Sequence, residues 1–220
     1  MTQDEILSTI TKQREFFASG VTLDRTYRET ALAMLYDAVQ SHEDEIADAL
    51  REDLGKCAYE SYLCETGMVL SAISYLRKNL RRLMRPKRTM AGFAQFPGHG
   101  ELRRMPYGTA LIIAPWNYPI LLSLEPLAAA IAAGNTVVLK PAASAASTSR
   151  VISKLIGECF SEDYVCVVTG SREENGFLLG ERWDKIFFTG SAATGRRVMA
   201  AAAERSEERR VGKECLEWWW

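Results

Sequence analysis

The sequence carries no excess of charge of either sign and few residues that suit a metal site. Its 27 basic and 28 acidic residues give a formal net charge of −1, which provides no general attraction to nucleic acid or to an anionic membrane. Only two histidines, His42 and His99, are present, and none of the five cysteines forms a C-x-x-C pair, so a zinc site has poor material. We therefore expect neither a metal site nor a nucleic-acid partner.

We also expect neither a secretory leader nor a membrane-spanning run. The opening residues, MTQDEILSTI, lack the basic segment followed by an apolar one that marks a signal peptide. The longest apolar stretch, around residues 120–133, is interrupted by Ser123, Glu125 and Pro126, which argues against a transmembrane helix. A chain of this kind with free thiols is typical of the cytoplasm, and that is the expected location.

The apolar content, 47% of residues, is enough for a packed core, and its spacing indicates helices in the first part of the chain. Residues 1–88 are predicted to be helical, and the last helix keeps one apolar face from Tyr59 to Leu83, over about seven turns. Pro86 ends it. Residues 89–107 are rich in glycine and proline and predict short strands or a hairpin, built from segments 92–96 and 101–105.

From residue 108 short apolar strands alternate with helices. Strands are predicted at 109–113, 136–139, 164–168 and 185–188, and helices at 119–133, 147–159, 173–180 and after Gly190. Strands that are apolar on both faces and joined by helices predict a parallel sheet. The predicted fold class is α/β: an N-terminal helical segment followed by a Rossmann-like parallel sheet with flanking helices, of which residues 108–204 form an incomplete cofactor-binding domain.

Three of these strands are followed or ended by a residue that can bind a ligand or take part in a reaction. Parallel strands bring such residues to one edge of the sheet. Asn117 carries an amide that can donate to a developing oxyanion, although an Asn-Tyr-Pro turn needs no function. Lys140 can bind ribose hydroxyls or a phosphate, or can be an ordinary surface lysine. Ser191 follows Gly190 where a helix N-terminus offers free amides to a phosphate, or it simply caps that helix.

The motifs at these positions, taken in order, resemble the N-terminal half of an NAD(P)-dependent aldehyde dehydrogenase. They are Ala114-Pro-Trp-Asn-Tyr-Pro119, Ala132-Ala-Gly-Asn135, Lys140-Pro141 and Phe188-Thr-Gly-Ser191 followed by Gly195. Pro-Trp-Asn-Tyr-Pro, with Asp53-Leu-Gly-Lys56 and Glu60-Ser-Tyr62 upstream, is most similar to the class 3, fatty-aldehyde branch. The resemblance runs from about residue 10 to about residue 203 and implies a partial aldehyde dehydrogenase fold.

The resemblance implies a set of cofactor-binding residues. Pro115 and Trp116 would line the strand end beside the cofactor, and Lys140 would bind the adenosine ribose. The turn against the pyrophosphate would be formed by Gly190 and Ser191, while Gly195 would let the following helix pack closely. The implied cofactor is NAD or NADP.

The resemblance also implies a reaction, the oxidation of an aldehyde to a carboxylic acid. In the family a cysteine thiolate attacks the aldehyde, hydride passes to the nicotinamide, and a glutamate activates water to release the acid. Asn117 matches the asparagine that stabilises the thiohemiacetal oxygen. Full-length members are expected to be homodimers.

The sequence departs from the family pattern after Lys140-Pro141. The family usually continues with Ser-Glu, and the glutamate binds the ribose hydroxyls, whereas Ala142 and Ala143 stand here. Loss of that carboxylate removes a partner for the 2′-hydroxyl and also removes repulsion toward a 2′-phosphate. NAD and NADP are therefore both left open.

A second departure begins after about Glu204. The family continues into a Glu-Leu-Gly-Gly segment with the general base, and later the nucleophile, whereas residues 205–220 have the character of an atypical tail. Cys215 and Glu214 lack the family's surroundings, so neither is assigned a catalytic role. The sequence thus predicts a truncated aldehyde dehydrogenase without nucleophile or base; a non-catalytic dinucleotide-binding module and an unstable fragment are the alternatives.

Overall fold

The first part of the chain is helical, as the apolar spacing predicts. The computed structural model describes residues 1–204 and 208–213, the last six by their backbone alone. The helices in this part are α1 (Gln3–Ala18), α2 (Arg25–Ser41), α3 (Glu43–Leu54), α4 (Ala58–Ser61) and α5 (Gly67–Met84). Helix α3 ends at Gly55, whose φ of 70° is left-handed and therefore favours glycine.

The prediction of one long helix with a single apolar face from Tyr59 to Leu83 is wrong for its first part. Residues Tyr62–Thr66 form a π-helical segment between α4 and α5. A π turn holds one residue more than an α turn and therefore rotates the apolar face. Three of the residues assigned to that face, Tyr59, Tyr62 and Leu63, are exposed, whereas the later positions Val69, Leu70, Ile73 and Leu80 are buried.

The predicted hairpin is present, but its strands are displaced. Strands β1 (Lys87–Met90) and β2 (His99–Leu102) pair antiparallel, with Met90 opposite His99. The predicted strand at 92–96 is instead a turn that contains a short 3-10 segment, Phe93–Gln95. Neither strand buries a side chain in the core, so the apolar spacing carries no information about their register.

The second half of the chain alternates strands with helices, as predicted. Its elements are β3 (Thr109–Ile113), α6 (Leu121–Ala133), β4 (Thr136–Lys140), α7 (Ala146–Cys159), β5 (Val165–Val167), α8 (Arg172–Gly180), β6 (Lys185–Gly190), α9 (Ala192–Ala203) and β7 (Glu208–Lys213). The strands form one parallel sheet in the order β5-β4-β3-β6-β7. The chain adds strands on one side of β3 and then crosses to the other, which is the strand order of a dinucleotide-binding fold.

The sheet is covered on both faces. Along β3, Leu111 and Ile113 contribute to one core cluster and Ile112 to the other, as the two-residue period of a strand requires. Helices α2, α3, α5, α6 and α7 pack in the cluster that contains Ile112, and helices α1, α8 and α9 contribute to the opposite one. The N-terminal helices and the sheet therefore share their core.

Most of the atypical tail predicted at 205–220 lies outside the described residues, including Cys215 and Glu214. The backbone of 208–213 forms β7, which pairs in parallel with β6 and places Glu208 opposite Lys185. Within the described residues no helix combines the length and the apolar character needed to cross a bilayer.

Candidate cofactor site

The predicted site residues follow the carboxyl ends of three adjacent strands. In the register of the sheet, Ile113 at the end of β3 lies beside Lys140 on one side and Phe188 on the other. The segment with Asn117 leaves β3, Lys140 ends β4, and Ser191 follows β6. The edge between β3 and β6, where the strand order changes direction, is where open α/β sheets bind their ligands.

The turn after β3 presents Asn117 at this edge. Trp116 is 57% exposed, whereas Pro115 and Asn117 are half-buried. The Oδ1 atom of Asn117 is buried and accepts no hydrogen bond from any described residue. Buried polar atoms normally have a partner, but no hydrogen bond of this oxygen fixes the orientation of the side-chain amide. The amide can turn to present its Nδ2 donor instead.

Lys140 is buried, so the interpretation of this residue as an ordinary surface lysine is wrong. The side chain is 1% exposed, and its Nζ donates to the carbonyls of Pro141 and Gly170, both at 2.9 Å. Burial lowers the pKa of this ammonium, and Glu174 acts in the opposite direction. An ammonium has three donors, so one N–H of Lys140 remains after these two bonds.

The turn after β6 prepares the N-terminus of α9. The Ser191 side chain accepts from the Thr194 amide at 3.3 Å, so it caps the helix. Gly190 is required by packing, because a Cβ there would lie 2.7 Å from the Phe188 ring. Gly195 is buried in the first turns of α9, in agreement with close packing of that helix. The first amides of α9 and the positive end of its dipole face the edge where a pyrophosphate is expected.

A cleft of about 530 Å³ lies beside Lys140. Its walls include Pro141, Ala143, Ser149, Arg150 and Ser171. Pro141 and the neighbouring Gly170 also supply the carbonyls that hold Lys140. The cleft thus combines a guanidinium and serine hydroxyls at the position where the family pattern expects a carboxylate, now replaced by Ala143.

Two polar contacts near the site were not predicted from the sequence. Both are made by residues of the Asp53-Leu-Gly-Lys56 motif. Asp53 accepts from the backbone amides of Ser147 and Thr148, at 3.1 and 2.7 Å, and from the Thr148 hydroxyl at 2.7 Å. These are the first amides of α7, whose own N-cap position, Ala145, provides no side-chain bond. Asp53 therefore caps the helix that carries the cleft.

The second contact is an ion pair between Lys56 and Glu65. The Lys56 Nζ lies 2.5 Å from Oε1 of Glu65 and donates to the Asn117 carbonyl at 3.0 Å. The other carboxylate oxygen of Glu65 accepts from the amides of Ile120 and Leu121, at 2.8 and 3.2 Å. The family motif at 53–56 was the only signal in the sequence, and it gave no indication of Glu65.

Metal-binding groups are not brought together in the part of the chain that the structure describes: no cluster of three or more histidine, cysteine, aspartate or glutamate side chains could hold an ion. The site therefore consists of backbone amides, one lysine, one asparagine and the arginine and serines of the cleft. These groups suit a phosphate-bearing, sugar-containing ligand.

The strand order and the groups at its switch edge are typical of dinucleotide-binding α/β proteins. The profile of the aldehyde dehydrogenase family matches residues 1–215, and the chain belongs to this family. Aldehyde dehydrogenase family 3 member H1 of Arabidopsis thaliana is 40% identical over 200 residues, which are 91% of this chain and 41% of the relative. The chain thus spans about two fifths of the length of this relative.

Two solved structures share the fold. The substrate-bound state of Staphylococcus aureus AldH has a TM-score of 0.93 at 38% identity, over 94% of this chain and 45% of that chain. PnpE in complex with nicotinamide adenine dinucleotide has a TM-score of 0.81 at 23% identity, over 95% of this chain and 43% of that chain. At this identity the likeness to PnpE concerns the fold alone.

Proposed function

We propose that this chain forms the cofactor-binding part of an enzyme that oxidises an aldehyde to a carboxylic acid with NAD or NADP. The observation that carries the proposal is the alignment of Asn117, Lys140 and Ser191 after three neighbouring strand ends, at the switch edge of a family member's sheet. When bound, the nicotinamide dinucleotide supplies the hydride acceptor.

Each residue at the edge has a distinct task in this proposal. The remaining N–H of Lys140 binds the adenosine ribose, and the first amides of α9 with Ser191 bind the pyrophosphate. Gly190 and Gly195 allow this helix to lie close to the cofactor, and Pro115 and Trp116 border it at the end of β3. The Asn117 amide donates to the oxygen of the aldehyde as that oxygen gains negative charge.

The cleft beside Lys140 favours NADP. Arg150 provides guanidinium donors for a 2′-phosphate, and Ala143 contributes no carboxylate that would repel it, whereas the hydroxyls of Ser149 and Ser171 already donate to the Ala142 carbonyl and to Glu174. A family-type glutamate in this position would bind the 2′-hydroxyl of NAD and disfavour the phosphate. We therefore propose that the chain binds NADP at least as tightly as NAD.

A non-catalytic dinucleotide-binding module is the second candidate, and the cysteines favour it. Burial raises the pKa of the Cys159 thiol to about 11 and that of Cys166 to about 12, whereas nucleophilic cysteines have lowered values. Cys57 is exposed and directly follows Lys56. No described residue is assigned the role of the nucleophile or the general base.

The wider expectations from the resemblance belong to the same proposal. The substrate class is an aldehyde, the complete enzyme is a homodimer, and its location is cytoplasmic. Light scattering of the purified protein tests the assembly, and cell fractionation tests the location.

The proposal is tested by calorimetric titration of NAD and NADP into the chain, followed by an assay for aldehyde-dependent NAD(P)H formation. Lys140→Met is expected to weaken cofactor binding at least about tenfold, since a charged hydrogen bond is lost, while the exposed control Lys154→Met binds like the parent. Ala143→Glu is expected to weaken NADP about tenfold or more and to leave NAD within about threefold. Binding without turnover favours the module, and a folded chain that binds neither dinucleotide contradicts the proposal.

A further inference from the structure

The ion pair between Lys56 and Glu65 is buried beneath the turn that carries Asn117. Lys56 is 8% exposed and Glu65 is fully buried. Glu65 comes from the π-helical segment Tyr62–Thr66, and Lys56 from the loop just before α4. The pair therefore belongs to the N-terminal helices, yet its polar contacts reach into the turn between β3 and α6.

The pair holds this turn at both ends. On one side the Lys56 ammonium donates to the Asn117 carbonyl, and it lies 4.2 Å from the centroid of the Tyr118 ring. On the other side Glu65 accepts from the two backbone amides at the start of α6. Ile120, in the N-cap position of α6, provides no side-chain hydrogen bond of its own, so Glu65 acts as the cap from a distant part of the chain.

Stability alone is a poor reason for this arrangement. Removing two charges from water is costly, and well-packed apolar residues of similar volume often give equal or greater stability in such places. Apolar side chains cannot, however, fix the direction of a carbonyl or of two amides. Three charge-assisted hydrogen bonds to the backbone of one short turn specify its conformation.

We propose that Lys56 and Glu65 are positioning residues, which fix the backbone around Asn117 so that its side-chain amide projects to the cofactor edge of the sheet. The inference rests on the proposed function, because it takes Asn117 to be the donor to the aldehyde oxygen. It assigns a task to Lys56, at the end of the Asp53–Lys56 motif, and to Glu65, and in both cases the task is to hold the backbone of the turn.

The test compares single and double variants by urea unfolding and by the NMR signals of the Asn117 side-chain amide, which Asn117→Ala identifies. Lys56→Met leaves an unpaired buried carboxylate and is expected to lower the unfolding midpoint clearly. The double variant Lys56→Met/Glu65→Gln removes both charges at similar volume and is expected to regain most of that midpoint. The exposed pair of Lys154 and Glu45, at 2.8 Å, provides the control variant Lys154→Met.

The Asn117 signals decide between positioning and mere packing. In the double variant they are expected to remain shifted or broadened, and amide exchange in residues 115–121 is expected to be about tenfold to a hundredfold faster than in the parent. The control is expected to match the parent in both measurements. A double variant that regains the midpoint and also shows parent-like Asn117 signals and exchange would overturn the inference.

Failure of the proposed function gives a different result. The measurements on Asn117 use the chain without cofactor, so they do not depend on binding or turnover. Saturating NADP is then added: parent Asn117 signals are expected to shift, whereas those of the double variant respond less although its affinity stays within about threefold. If the parent signals are sharp but indifferent to NADP, the proposed function fails while the positioning of the turn stands.

Discussion

At the scale of single residues, two buried charges, those of Arg28 and Lys140, are satisfied by backbone carbonyls. Arg28 is 5% exposed and donates to the carbonyls of Thr22 at 2.6 Å and Ala132 at 3.2 Å. Gly134 allows this approach, because a Cβ at this position would clash with the Arg28 guanidinium. Its φ of 94° is left-handed, which also favours glycine. Lys140 follows the same rule at the cofactor edge. Such contacts tie each charge to one conformation of the chain, which suits residues that hold a site.

Buried thiols give the stability of the protein a pH dependence at the alkaline end. Burial, with a smaller contribution from Glu162, raises the pKa of Cys166 from 9.0 to about 12. Because the folded-state pKa lies above the unfolded one, the stabilisation is complete below pH 9 and is lost as the pH rises toward 12. Cys166→Ala is expected to reduce the fall of the unfolding free energy by up to about 1.4 kcal/mol per pH unit between pH 9.5 and 10.5.

Urea unfolding at several pH values in the presence of a reductant measures this slope. The exposed Cys57 provides the matched variant Cys57→Ala, which removes a thiol without removing packing from the core. A Cys166→Ala curve that runs parallel to the parent curve at every pH, merely displaced by the lost packing of the sulfur, would contradict the assignment.

At the scale of elements, the two helices that follow β3 and β4 take their N-terminal caps from the helical part of the chain. Glu65 caps α6 and Asp53 caps α7. Both acids lie at the positive end of the helix dipole that they cap, which adds to the hydrogen bonds. The orientation of the two helices that border the cofactor edge therefore depends on residues far away in the sequence.

Asp53→Ala tests this dependence. Loss of the cap is expected to lower the unfolding free energy by about 1–2 kcal/mol and to speed amide exchange at Ser147 and Thr148. Asp48→Ala, on the same helix, removes an exposed pair with Arg51 and is expected to cost less than about 1 kcal/mol. Equal effects of the two substitutions, measured by urea unfolding, would show that Asp53 is an ordinary surface acid.

The strands and helices of the second half follow the sequence prediction closely because their local sequence signals, apolar runs and helix starts, are strong. Strand β3 and helix α8 are examples: β3 is buried at every position, and α8 begins at a capping box formed by Ser171 and Glu174. The π-helical segment was missed because its apolar spacing continues that of α5. The contacts of Asp53 and Glu65 could not be predicted, since their partners are 94 and 55 residues away along the chain.

At the scale of the whole molecule, the first helix joins the N-terminal segment to the sheet. Ile6 and Ile10 of α1 are buried in the core cluster that contains β3 and β6. Gln13 adds two hydrogen bonds from its side-chain amide, to the carbonyls of Val137 at 2.9 Å and Glu162 at 3.0 Å. A chain assembled in this way is expected to unfold as one cooperative unit, although its sequence reads as a helical segment followed by a sheet.

Ile10→Ala should therefore destabilise the helices and the sheet together. The side chain is 2% exposed, and its truncation is expected to cost about 2–4 kcal/mol, whereas Leu7→Ala on the same helix removes a 39% exposed side chain and costs much less. Native-state amide exchange resolves the two regions: protection in α5 and in β4 is expected to fall by the same free energy, as it does when opening is global. A loss of protection confined to the sheet would mean that the helical segment is stable by itself, and that the shared core is an interface between two folding units.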